Sequence, residues 1–121
     1  MDYAARYDNW QNLPQVFFEK AAEQGDAPLF WAKHYDSWQS TSWAQARDEV
    51  SALAGGLRAA GVKHGDRVLL VSENRPEWGI ADLAIMSAGA ITVPAYTTNT
   101  VDDHIHLITD CDPKVAILSS E

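Results

Sequence analysis

Four apolar residues in succession, Val68-Leu69-Leu70-Val71, mark a strand covered on both faces, and the chain is organised around them. A polar turn follows, Ser72-Glu73-Asn74-Arg75-Pro76, in which Asn74 is a candidate helix cap and Pro76 suits a first helical turn. From Pro76 to about Ala88 the chain is alanine-rich and apolar almost all round, which predicts a helix buried or packed closely on a sheet. Gly89 ends it and Ile91-Thr92-Val93 begins the next strand. With a helix between them the two strands must be parallel, joined by a right-handed crossover.

Before this unit, Tyr3 to Asn12 is aromatic without periodicity and reads as irregular. Leu13-Pro14 opens a helix to about Gln24, with Leu13, Val16, Phe17 and Ala21 on one face, Phe18 off it and Gly25 closing it. Leu29 to Lys33 and Ser37 to Ser40 read as a hairpin around His34-Tyr35-Asp36, with Trp31 and Trp38 as cross-strand neighbours. Ser42 with Gln45 has the capping-box form, and Trp43, Ala46, Val50, Leu53, Ala54 and Leu57 recur at helical spacing to about Ala60. Gly55-Gly56 inside that helix costs on the order of 1 kcal/mol per glycine, for which close approach to a sheet or another helix is the expected compensation. Gly61 caps it, and His64-Gly65-Asp66 turns the chain into the central strand.

After Val93, Thr100 and Asp103 start a helix from Val101 to about Asp110, with Val101, Ile105 and Ile108 facing inward. Pro113 breaks the chain, and Lys114 to Leu118 is a last strand. The sum is an α/β fold: three layers, a doubly wound and mostly parallel sheet, preceded by a helix and a β-hairpin.

Composition narrows the function. The chain has 121 residues, enough for one core, and no apolar run nears the roughly 18–20 residues of a membrane span. Met1-Asp2-Tyr3 lacks the basic-then-apolar pattern of an export signal, and the single cysteine, Cys111, fits a reducing compartment, so a cytoplasmic location is expected. A formal charge of −8 without a Lys/Arg cluster argues against nucleic acid. The five tryptophans then point to a core and a domain interface rather than to base stacking.

Several constellations imitate sites. Asp102, Asp103, His104, His106, Asp110, Cys111 and Asp112 are metal ligands by type. His104 and His106 nevertheless lie two apart on a helix and point away from each other, and the pair Asp102 and His106 does not make a site. A polar helix face is expected, with no metal. The glycines form no phosphate loop, and Ser72 lacks the glycines of a nucleophile elbow. Ser72 to Arg75 lies at a strand's carboxyl end, where open α/β sheets bind ligands, though a solvated turn with a helix cap is the expected reading.

The stretch from about Trp31 to Glu121, and more loosely from Leu13, resembles the N-terminal part of the acyl-adenylate-forming enzymes, a superfamily of acyl-CoA synthetases, luciferases and peptide-synthetase adenylation domains. Three segments carry the resemblance: the helix entry after Thr41, with Trp43 at the usual tyrosine; Gly65-Asp66-Arg67-Val68 with Ser72 to Trp78, very like long-chain fatty acid–CoA ligases; and Ala88 to Pro94. It implies a two-step ligase using ATP, Mg2+ and CoA, in which a fatty acid becomes an acyl-adenylate and then an acyl-CoA. In such enzymes the phosphate loop, the magnesium glutamate and the mobile C-terminal domain lie downstream of this segment. Residues 1–121 are therefore expected to be the first subdomain of a larger AMP-binding domain. Such a piece is inactive alone, binds no cofactor, has the rest of its polypeptide as partner, and self-associates through uncovered surface. The alternatives are a piece of an aryl-CoA ligase or amino-acid adenylation domain, or a non-catalytic oligomerisation module. No catalytic residue falls in the chain. By position, the resemblance brings Tyr96, Thr97 and Thr98 near the CoA nucleotide. Relatives often carry Phe-Gly-Gly there, and on the other view Tyr96 closes the core while Thr97 to Thr100 serve the next helix.

Overall fold

The computed structural model describes residues 2–120, and the chain divides after Asp48 into two compact units.

The first unit opens with a short helix, α1 (Tyr3–Tyr7), where the sequence suggested irregular chain; the Asp2 side chain caps it by accepting from the Ala5 N–H. Five residues are too few for a hydrophobic period to show. Helix α2 (Leu13–Gln24) has Asn12 at its N-cap and ends at Gly25, whose φ of +54° only glycine adopts without strain. Its buried residues are Phe17 and Ala21, while Leu13, expected on the same stripe, is exposed. Phe17 stacks against Trp43 with ring centroids 6.0 Å apart. Strands β1 (Pro28–His34) and β2 (Ser37–Ser42) form the antiparallel hairpin. Its register pairs Trp31 with Ser40 and Trp38 with Lys33, so the two tryptophans lie diagonally on one face, not opposite each other. The loop closes over Tyr35-Asp36, with Tyr35 left-handed at φ +53°. Helix α3 (Trp43–Ala59) begins here with a reciprocal capping box: the Gln45 N–H donates to Ser42 Oγ at 3.1 Å, and the Ser42 N–H to Gln45 Oε1 at 2.9 Å.

In the second unit, Val50, Ala54 and Leu57 of α3 are buried. Gly55 and Gly56 are not in close contact with anything: a Cβ on either would meet no atom within 4 Å, so the expected close approach is absent. The helix ends in a Schellman motif, with Gly61 N–H to Arg58 O and Val62 N–H to Leu57 O, both 3.0 Å, which places two buried side chains over each other. The sheet follows as β3 (Arg67–Val71), β4 (Ile91–Ala95) and β5 (Val115–Leu118), all parallel, in the order β4-β3-β5. Val68, Leu69 and Leu70 are buried, as their unbroken apolar run requires for a central strand. The crossover from β3 to β4 runs one way and that from β4 to β5 runs back past β3. Right-handedness then puts α4 (Pro76–Ser87) and α5 (Val101–Cys111) on opposite faces, the doubly wound arrangement.

Helix α4 buries Ile80, Ala81, Ala84 and Ile85 and repeats the Schellman ending at Gly89, where φ is +82°. Its N-cap is Arg75 rather than Asn74, and no side chain caps it; Pro76 has already removed one of the donors a cap would serve. Helix α5 has the Thr100–Asp103 capping box, but its inward residues differ from those expected. Val101, Ile105 and Ile108 are 73, 56 and 48% exposed, whereas His104, Leu107 and Cys111 are the half-buried ones. Arg67 ties down the end of this helix. Its Nε donates to the Cys111 carbonyl at 2.7 Å and its Nη2 to that of Asp112 at 3.4 Å, while Nη1 reaches Gly65 O at 3.2 Å. Asp112 takes the left-handed conformation (φ +46°) that ends the helix there.

Candidate functional site

At the carboxyl ends of the strands, two turns and the end of β5 form the ligand edge that an open α/β sheet offers where its strand order reverses. The β3–α4 turn is internally tied. Ser72 Oγ donates to Glu73 O (2.9 Å), Ser119 Oγ to Glu73 Oε2 (2.6 Å), Arg75 Nη1 to Glu73 Oε1 (3.1 Å), and Arg75 Nε to Glu77 Oε2 (2.9 Å). The Ser119 hydroxyl, more than the guanidinium, holds the Glu73 carboxyl below its ordinary range, and Glu77 first, then Glu73, keep Arg75 firmly protonated. These charges satisfy one another. They are not poised for proton transfer.

The β4–α5 turn closes with the Asn99 N–H on Tyr96 O at 3.1 Å. Tyr96 is 79% exposed and does not close the core; Thr97 and Thr98 are exposed as well. Beside Tyr96 lies a hollow of about 330 Å³ lined by Ser72, Asn74, Trp78, Pro94, Ala95 and Tyr96. A smaller one, about 180 Å³, lies toward β5, where Ser72 and Trp78 are joined by Leu70, Arg75, Ile117 and Ser119 among others. Trp78 and Ser72 belong to both. No charged side chain lines the larger hollow, which offers two aromatic rings, a hydroxyl and a primary amide. That set suits a flat, neutral group better than a phosphate.

Of the three residues singled out in the sequence, Tyr96 reaches the hollow, while Thr97 and Thr98 do not line it. Asn74 and Trp78 do, although the pattern along the chain had marked them for other duties, a cap and a helix interior. Asp103 is engaged by Thr100, and it is the carbonyls of Cys111 and Asp112 that Arg67 holds. Among the described residues no three His, Cys, Asp or Glu side chains come together to hold a metal ion, and no helix is long and apolar enough to cross a membrane.

A doubly wound α/β unit with its clefts at the strands' carboxyl edge belongs to the open-sheet class of folds that bind their ligands at that edge. More narrowly, residues 17–121 match the family of AMP-binding enzymes, and the chain belongs to that family. It is 31% identical over 110 residues to the long-chain-fatty-acid–CoA ligase FadD15 of Mycobacterium tuberculosis, covering 91% of this chain and 18% of that ligase. It is 39% identical over 100 residues to the phenylacetyl-CoA ligase epaB of Aspergillus niger, covering 80% of this chain and 18% of that one. Among solved structures, the fatty acid AMP ligase of Legionella pneumophila superposes with a TM-score of 0.85 at 25% identity, over 93% of this chain and 20% of the other. The chain thus spans about a fifth of the length of the relatives it matches.

Proposed function

We propose that this chain is the first subdomain of the AMP-binding domain of a cytoplasmic, ATP-dependent long-chain fatty acid–CoA ligase. In the whole enzyme the fatty carboxylate attacks the α-phosphate of ATP, giving acyl-adenylate and pyrophosphate. The thiol of CoA then displaces AMP, giving the thioester. The observation that carries the reading is the run Gly65 to Trp78, which builds β3 and the β3–α4 turn, in a chain that aligns over 91% of its length with a ligase of that name.

Among the described residues no metal-ligating cluster comes together, the glycines of the sequence form no phosphate loop, and the chain alone is expected to catalyse neither half-reaction. The rest of the polypeptide supplies the ATP and Mg2+ chemistry. CoA, when bound, supplies the thiol that accepts the acyl group. The Tyr96-Thr97-Thr98 turn is the candidate for lying near it: the Tyr96 ring, exposed beside an uncharged hollow, can pack against an adenine.

Two measurements on the intact enzyme test this. A panel of carboxylates should give its highest kcat/KM with long-chain fatty acids; a preference for arylacetic acids would favour the second reading, an aryl-CoA ligase, which the 39% identity to epaB supports. Tyr96→Ala should raise the KM for CoA with kcat little changed, and an unchanged KM would remove Tyr96 from the CoA site.

A further inference from the structure

We infer that the larger hollow is a purine pocket in which Asn74 reads the edge of the base and Trp78 forms one wall. The inference rests on the reading of the Tyr96 turn as nucleotide-proximal and adds two residues and a base preference to it. Asn74 sits immediately before the N-cap of α4, where an asparagine usually spends its side chain on the helix's free N–H groups. Here it does not: the cap position is Arg75, the Asn74 amide makes no hydrogen bond among the described residues, and the residue lines the hollow together with Tyr96 and Trp78. An unengaged primary amide beside two aromatic rings is the equipment for base recognition. The rings supply a stacking surface that accepts any base, and the amide supplies one donor and one acceptor side by side. That pair matches adenine, whose N7 accepts and whose N6 amino group donates on the same edge. A 6-oxo purine presents two acceptors there, and the amide can satisfy only one. The other groups of the lining do not compete. Ser72 Oγ is committed to Glu73 O, and Pro94 and Ala95 offer only apolar surface beside the base.

The test uses the 121-residue chain, uniformly 15N-labelled, titrated with adenosine and separately with inosine. Adenosine should shift the Trp78 indole N–H, the Asn74 side-chain amide and the Tyr96 backbone amide together, with inosine binding about tenfold more weakly. In Asn74→Ala the two nucleosides should bind within about twofold of each other while Trp78 still responds, because stacking survives and edge reading does not. The inference is overturned if adenosine at its solubility limit leaves these signals in place. Equal binding of the two nucleosides to the parent chain, or a preference that survives in Asn74→Ala, overturns it as well. Its failure is separable from that of the CoA reading. A Tyr96→Ala effect on the KM for CoA with no Asn74-dependent base preference keeps the CoA reading and discards the pocket. An Asn74-dependent preference for adenosine with an unaltered KM for CoA does the reverse.

Discussion

Replacing Arg67 by methionine keeps the length and most of the apolar stem of the side chain but removes three donors at once. Two of them, to Cys111 O at 2.7 Å and Gly65 O at 3.2 Å, are part-buried, and the third, to Asp112 O at 3.4 Å, is long and exposed. Hydrogen bonds from a charged donor contribute about 1.5–3 kcal/mol when their acceptors stay buried, but the carbonyls at the end of α5 can turn to water, so the loss should be about 2 kcal/mol. The guanidinium also lies at the negative end of the α5 dipole, which adds a few tenths of a kcal/mol at a partly exposed site. Because these bonds hold the end of α5, the cost should concentrate in that helix's last turn. Native-state hydrogen exchange of the Ile108 to Cys111 amides should accelerate about 30-fold in Arg67→Met, the equivalent of 2 kcal/mol, with the β3 amides accelerated far less. Arg67→Lys keeps the charge and loses the fork, and should fall between the two. Exchange in the last turn of α5 within twofold of the parent would refute the clamp. A lysine variant equal to the parent would show that charge alone suffices.

Gly56→Ala should stabilise the chain by about 0.5–1 kcal/mol, read as a rise in Tm, because an added Cβ meets no atom within 4 Å and the helical backbone is already formed. Gly89→Ala should do the opposite, since φ is +82° and the new Cβ would come within 3.1 Å of the His64 ring. The Asp103 carboxyl is held below its ordinary range by the backbone N–H of Thr100 and then by its hydroxyl. Its stabilisation of α5 should be complete above the carboxylate value of the unfolded chain and vanish as the pH falls through the lower folded value; amide protection in the first turn of α5 followed by NMR should show that loss, and Asp103→Asn should flatten it. The exposed Val101, Ile105 and Ile108 should drive self-association at high concentration, visible by sedimentation and relieved in Ile105→Lys; a parent chain that remains monomeric would count against it.

The β3–α4–β4 unit was legible because each of its signals is local: an apolar tetrapeptide, a proline at the helix start, a glycine at its end. The two capping boxes, Ser42 with Gln45 and Thr100 with Asp103, were legible for the same reason. What the sequence hid was decided at a distance. The apolar stripe of α5 is real, but it does not say which side packs on the sheet, and the end of the helix is held by Arg67, more than forty residues away in the chain. The register of the hairpin depends on a two-residue loop with Tyr35 left-handed, where the sequence suggested a looser three-residue turn. The candidate site was half legible. Tyr96 came from resemblance, whereas Asn74 and Trp78 look locally like a cap and a helix-filling residue, and only the parallel register of β3 and β4 brings them beside Tyr96.

Trp78 has one more consequence. Trp78 and Ser72 line both hollows, one of about 330 Å³ and one of about 180 Å³, and the indole is the larger of the two side chains. A rotamer swing of this ring would change the shape of both. A guest that moves the indole on the Tyr96 side should therefore be felt on the β5 side, through this one side chain.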